Sequence, residues 1–145
     1  MGNHLHSIEI LLVEDNEADI LLTQEAFAKA NLNGPMHVAR DGVEAMAFLR
    51  HEGNYASSQR PDLILLDLNM PRMSGREVLS EMKNDPVLRN IPVAVLTTSS
   101  AENDVSEAYK LHANCYIVKP SHFDSFVQAV HSLYRFWFEI VTLPT

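Results

Sequence analysis

The sequence has one cysteine, Cys115, so no disulfide can form within the chain, and a reducing compartment is the simpler setting. That cysteine opens the apolar stretch Cys115 to Val118 and reads as a small buried hydrophobe. Basic residues are also scarce: 11 Lys and Arg stand against 19 Asp and Glu, a formal net charge of −8 at pH 7. This balance excludes the electrostatic footprint of a nucleic-acid binder, and most of the acidity reads as solubilising surface charge. No apolar run approaches the roughly 18 residues of a membrane span, and Met1 to Ser7 lacks the basic patch and long apolar stretch of a leader. The expected location is the cytoplasm, with no membrane contact. No repeat, linker or second domain stands out. The seven histidines form no close helical pair, so none is assigned a metal.

What the sequence does have is enough apolar residue, 46% of 145, for one real core. The expected organisation is a single domain over 1–145, with its core at about 8–133 and an apolar extension at about 134–145. Runs of strand length recur at Ile8 to Val13, Leu63 to Leu66, Val93 to Leu96 and Tyr116 to Val118, mostly without polar alternation, as in strands buried on both faces. A weaker run, Met36 to Ala39, follows the turn signal Asn33-Gly34-Pro35. Between the runs lie helical periods: Ala18, Leu21, Leu22 and Ala26; Val78, Leu79 and Met82; Val105, Ala108 and Tyr109. Asp41-x-x-Glu44, Ser74-x-x-Glu77 and Ser121-x-x-Asp124 each place a capping oxygen three residues ahead of a carboxylate. His51 to Arg60 reads as a lengthened loop. Strand-helix alternation predicts an α/β fold, a five-stranded doubly wound parallel sheet with right-handed crossovers and helices on both faces.

In such a sheet ligands bind outside the carboxyl ends of the strands. The first run ends in Glu14-Asp15, the third in Asp67, the fourth in Thr97 and the fifth in Lys119. Three carboxylates, a hydroxyl and an ammonium are therefore delivered to one edge. Any one of these, such as Asp15 alone, reads equally well as a helix cap. Crowded carboxylates coexist in charged form when a cation is present, and all-oxygen ligands that leave room for water and phosphate favour magnesium over an enclosed calcium cage. A strand-end carboxylate such as Asp67 can attack phosphorus if positive charge and hydrogen-bond donors meet the phosphoryl oxygens, and Lys119 and Thr97 supply both.

The set Glu14-Asp15, Asp67, Thr97 and Lys119-Pro120 resembles the response-regulator receiver family, from Ile8 to about Leu133. The resemblance implies the flavodoxin-like strand order 2-1-3-4-5. It also implies that Asp67 is the phosphoacceptor and that Asp15 and Asp67 are the main magnesium ligands, with Glu14 acting through water and Asn69 through its backbone carbonyl. Thr97 resembles the family's switch hydroxyl and Tyr116 the aromatic that follows it, although Tyr116 taken alone reads as an amphipathic sheet-edge residue. The Lys119-Pro120 bond is cis in many relatives. Glu14 stands where many members have Asp, which leaves metal binding intact; Thr98 stands where many have Ala, which leaves the dephosphorylation rate open. The stretch Ile91 through Leu111, Cys115-Tyr116-Ile117 and the tail Phe136-Trp137-Phe138-Glu139 is similar to the small receivers serving cyanobacterial bacteriophytochrome-type histidine kinases. That similarity implies such a kinase as partner, and a signalling role rather than an enzymatic one. With no output domain after the receiver, the output is expected to be a change of partner.

Phe123, Phe126, Val127, Val130, Tyr134, Trp137, Phe138 and Val141 keep spacings of three and four, so the last helix is expected to run on and project an apolar stripe. An exposed stripe of this size marks an interface, and Tyr134, Trp137 and Phe138 are its expected centre, in a homodimer or against the kinase. The bland alternative folds it back onto the domain. Three other readings compete. A dehalogenase-type hydrolase usually carries Asp-x-Asp near its start, whereas Asp67-Leu68-Asn69 is central here. A flavodoxin-like electron carrier needs a phosphate loop where Glu14-Asp15-Asn16-Glu17 stands. A receiver-shaped adaptor that works without phosphorylation is the remaining alternative.

Overall fold

Five short apolar runs become five parallel strands because each is flanked by a helix that returns the chain to the same starting edge. The computed structural model describes residues 8–32, 34–97 and 102–136. In chain order these form β1 (Ile10–Val13), α1 (Glu17–Lys29), β2 (Met36–Ala39), α2 (Gly42–Leu49), a 3-10 turn (Gly53–Tyr55), β3 (Leu63–Leu66), α3 (Gly75–Lys83), β4 (Val93–Thr97), α4 (Glu102–Lys110), β5 (Cys115–Val118) and α5 (Phe123–Arg135). The sheet order is β2-β1-β3-β4-β5, as the resemblance implied. β1 begins two residues later than its apolar run, and β4 takes in Thr97.

The three central strands are buried throughout, and successive side chains go to opposite faces. Leu11, Val13, Ile64, Leu66, Val93 and Val95 pack with Met46, Leu49, Val78, Leu79 and Met82 of α2 and α3. Ile10, Leu12, Leu63, Leu65 and Leu96 pack with Ile20 and Phe27 of α1 and with Phe126, Val130 and Leu133 of α5. Each fully buried Leu or Ile contributes about 1.5–3 kcal/mol, so these two layers dominate the stability of the sheet.

Some sequence expectations shift. In α1 the buried face is Ile20, Thr23, Ala26 and Phe27, while Leu21 and Leu22 are exposed, so the predicted face of Ala18, Leu21, Leu22 and Ala26 is rotated. The Thr23 hydroxyl donates to the Asp19 carbonyl at 2.8 Å, which lets a polar residue sit on the buried side. Tyr109 is exposed beside buried Ala108. Cys115 is half-buried on its outer strand rather than fully enclosed. Asp41 and Ser74 cap α2 and α3 as expected, Ser74 in a reciprocal capping box with Glu77. The third motif fails: α5 starts one residue later, at Phe123, with His122 at the cap and no side-chain capping bond. No peptide bond among the described residues is cis, so Lys119-Pro120 is trans here. Within the lengthened connection at 51–60 the chain forms the 3-10 turn. Of the expected stripe, Phe126 and Val130 are buried in the core, Phe123 and Val127 pack against it, and Tyr134 is half-buried, so this part lies against the domain instead of projecting. Trp137, Phe138 and Val141 lie outside the described residues, as does Thr98.

Candidate functional site

Register decides which strand ends meet. Val13 pairs with both Ala39 and Leu66, and Leu66 pairs with Val95. The ladder continues one residue further, with Glu14 N–H donating to the Ala39 carbonyl at 2.9 Å and Asp67 N–H to the Val13 carbonyl at 3.0 Å. Glu14 and Asp67 are therefore neighbours on the central strands. On the far side, Lys119 N–H donates to the Thr97 carbonyl at 2.7 Å and brings the end of β5 to β4.

One oxygen from each of Glu14, Asp15 and Asp67 lies within 4.8 Å of the others. Glu14 is buried, Asp67 half-buried and Asp15 exposed. Burial pushes the Glu14 carboxyl above its ordinary value; the hydrogen bond and charge of Lys119 pull it back, and the Asp67 charge pushes it up again. Burial likewise raises Asp67, against the Lys119 charge, a hydrogen bond from Thr97 and one from the Asn69 backbone N–H, while Asp15 repels it. The cluster is short of positive charge. A hard divalent cation fits this donor set, which offers carboxylate oxygens on one open, partly solvated side.

The Lys119 side chain is 9% exposed. Its ammonium donates to Glu14 Oε1 at 2.7 Å and lies 3.2 Å from Asp19 Oδ2. Burial works to lower its pKa, but the two carboxylates outweigh burial and hold the group above its ordinary value. Asp19, in the first turn of α1, was not singled out from sequence. The signal was present in Asn16-x-x-Asp19: Asn16 Oδ1 caps the helix by accepting from Asp19 N–H at 3.0 Å, which fixes where the Asp19 side chain starts.

The loop after β3 is clasped from two sides. Gly75 N–H donates to the Leu68 carbonyl at 2.9 Å, and a Cβ on Gly75 would stand 2.2 Å from the Asp67 carbonyl oxygen. Gly42 at the start of α2 donates its N–H to the Met73 carbonyl at 3.0 Å, and a Cβ there would stand 2.4 Å from that oxygen. Arg72, at φ 65, donates from Nε to Asp41 Oδ2 at 2.8 Å. These contacts hold Asn69, whose Oδ1 accepts from Arg76 Nη1 at 3.4 Å. Arg76 also grips α4, through Asp104 and through Glu107 Oε1 at 2.9 Å. Sequence reading missed this fan, because ion pairs between helix surfaces leave no local pattern.

Of the expected residues, Glu14, Asp15, Asp67, Asn69, Thr97 and Lys119 come together at one sheet edge. Tyr116, in register with Val95, sits half-buried on the outer strand and packs against the layer of α2 to α4. Tyr134 is apart from the site; it lines a cavity of about 230 Å³ with Ile8, Phe27, Leu32 and Met36, below α1.

The response regulator receiver domain matches residues 10–131 of the chain. Response regulator Rcp1 of Synechocystis sp. is 50% identical over 135 residues, 93% of this chain and 92% of that protein. Among solved structures, the phosphorylated cyanobacterial phytochrome response regulator RcpA superposes with a TM-score of 0.90 at 51% identity, covering 97% of this chain and all of that one (100%). The manganese-bound form of response regulator Rcp1 superposes at 0.86 and 48% identity, with 95% and 99% covered.

Proposed function

This chain belongs to the response regulator receiver family, and from that premise we propose that Asp67 accepts a phosphoryl group from a phytochrome-type histidine kinase. The observation that carries the proposal is the half-buried Asp67 carboxylate, clustered with Glu14 and Asp15 on one side and hydrogen-bonded by Thr97 on the other. The phytochrome assignment rests on the similarity to RcpA over 97% of the chain.

One Asp67 carboxylate oxygen forms the bond to phosphorus as the donor's bond to phosphorus breaks and the leaving group departs with that electron pair. The Lys119 charge, the Thr97 hydroxyl and the Asn69 N–H favour the ionised, nucleophilic form of Asp67 against the effect of burial. Asp15, Asp67 and the Asn69 carbonyl would hold magnesium, with Glu14 acting through water, and the ion would supply positive charge for the phosphoryl oxygens. Thr97 is 1% exposed at the end of β4, with its hydroxyl already directed to Asp67, and is placed to follow the new oxygens inward. Tyr116 on the neighbouring strand would follow that movement. The output is a change of partner, either docking or self-association through Tyr134, Trp137 and Phe138.

The test is incubation with acetyl phosphate, with and without magnesium, read by intact mass. The expected result is one added phosphoryl group, dependent on magnesium and abolished by Asp67→Asn. Absence of an adduct under every condition would leave the phosphorylation-independent adaptor as the better reading.

A further inference from the structure

Lys119 is buried and fastened at its backbone to the end of β4, so its ammonium reaches only what the surrounding elements offer. An ammonium has three N–H donors. One goes to Glu14 Oε1 at 2.7 Å, and Asp19 Oδ2 stands 3.2 Å away. Glu14 has a second commitment, because it is also part of the acidic cluster with Asp15 and Asp67. Asp19 is not in that cluster. Its backbone is fixed on both sides, by Asn16 Oδ1 at its N–H and by the Thr23 hydroxyl at its carbonyl. An acidic residue in the first turn of a helix needs no other reason than the helix dipole. Glu17 in the same turn, however, turns outward to Arg40 Nη1 at 2.5 Å, whereas Asp19 turns to Lys119.

We propose that Asp19 is a positioning residue for phosphoryl capture, the counter-charge that keeps the Lys119 ammonium beside the site and competes with the phosphoryl oxygens for it. The proposal rests on the acceptor reading of Asp67. When phosphoryl oxygens sit on Asp67, the third N–H and the charge of Lys119 are drawn toward them, against the pull of Asp19. The Asp19 carboxylate therefore sets how readily the ammonium is surrendered, and so how tightly a phosphoryl group is held. Asp19→Asn keeps the shape and one oxygen acceptor while removing the charge.

The experiment is calorimetric titration with beryllofluoride, a phosphoryl mimic that forms no covalent ester, in saturating magnesium. Asp19→Asn is expected to bind it about two- to fivefold more tightly than the wild type, the range for a partly exposed ion pair lost from one side of a competition. Asp19→Glu should return the affinity toward the wild-type value. Glu17→Gln, which removes a charge from the same turn, should leave it unchanged. Equal or weaker binding by Asp19→Asn overturns the proposal, as does an equal gain in Glu17→Gln, which would mark a general field effect. If the wild type itself takes up no beryllofluoride, the acceptor reading of Asp67 is what fails.

Discussion

Glu14 and Asp67 are carboxylic acids held where their charge is disfavoured. Both have native pKa values raised above the unfolded 4.5 and 3.8, so their ionised forms cost stability. That cost is absent below the unfolded values, grows as pH rises through the window up to the raised native values, and is complete above it. Asp41 has the opposite sign. Its hydrogen bond from Arg72 lowers its pKa, so its contribution is present above 3.8 and is lost as pH falls through the native value. Thermal unfolding in chelator should therefore show greater stability at mildly acidic pH than at neutral pH, with a decline at stronger acid. Asp67→Asn should raise the chelated midpoint at pH 7 and should flatten the neutral-to-acid slope. A fall in the midpoint on that substitution would contradict the crowding. Glu14, Asp15, Asp67, Thr97 and Lys119 were legible in the sequence because each ends an apolar strand run. Asp19 was not, since a carboxylate on an amphipathic helix looks solvated until the fold shows what faces it.

At the scale of elements, α3 carries the most local instruction. Ser74 and Glu77 exchange side-chain bonds with each other's backbone, and Val78, Leu79 and Met82 form its buried face, all readable from spacing. Ser74→Ala should cost about 1 kcal/mol in chemical denaturation, the usual worth of such a cap. Gly75→Ala should cost more and should also weaken magnesium binding, because the added Cβ meets the Asp67 carbonyl oxygen and displaces the backbone that carries this carboxylate. Magnesium affinity equal to wild type in Gly75→Ala would show that the loop gives way elsewhere. Two helices were less legible. Ile20, Leu21 and Leu22 make α1 apolar around much of its circumference, so periodicity alone does not fix its phase; the Thr23 back-bond and Phe27 do. In α5 the Ser121 signal lies one residue too early, and the chain enters the helix at Phe123 without it.

For the whole molecule, the alternation of buried runs and helices sufficed for the layer order, because only one hand of crossover is open to a parallel sheet. What lies beyond the core was less readable. The same aromatic periodicity serves the core at Phe126 and Val130 and continues through Tyr134 to Trp137 and Phe138, and spacing cannot say where packing ends. If the far end of the stripe joins two copies, a chain ending at Leu133 should elute as a monomer, and light scattering should give about half the mass of the full chain. Equal masses for the two chains would exclude self-association through that segment. The parallel arrangement itself has a practical corollary. All five strands point one way, so every residue assigned to chemistry lies at one rim, while the connection at 51–60 enters β3 from the opposite rim. Ala56 and Ser57 there are exposed. A reporter or second binding module spliced between them would ride on the rim remote from Asp67, and the same scaffold could gain cargo without re-engineering the edge that holds the carboxylate cluster.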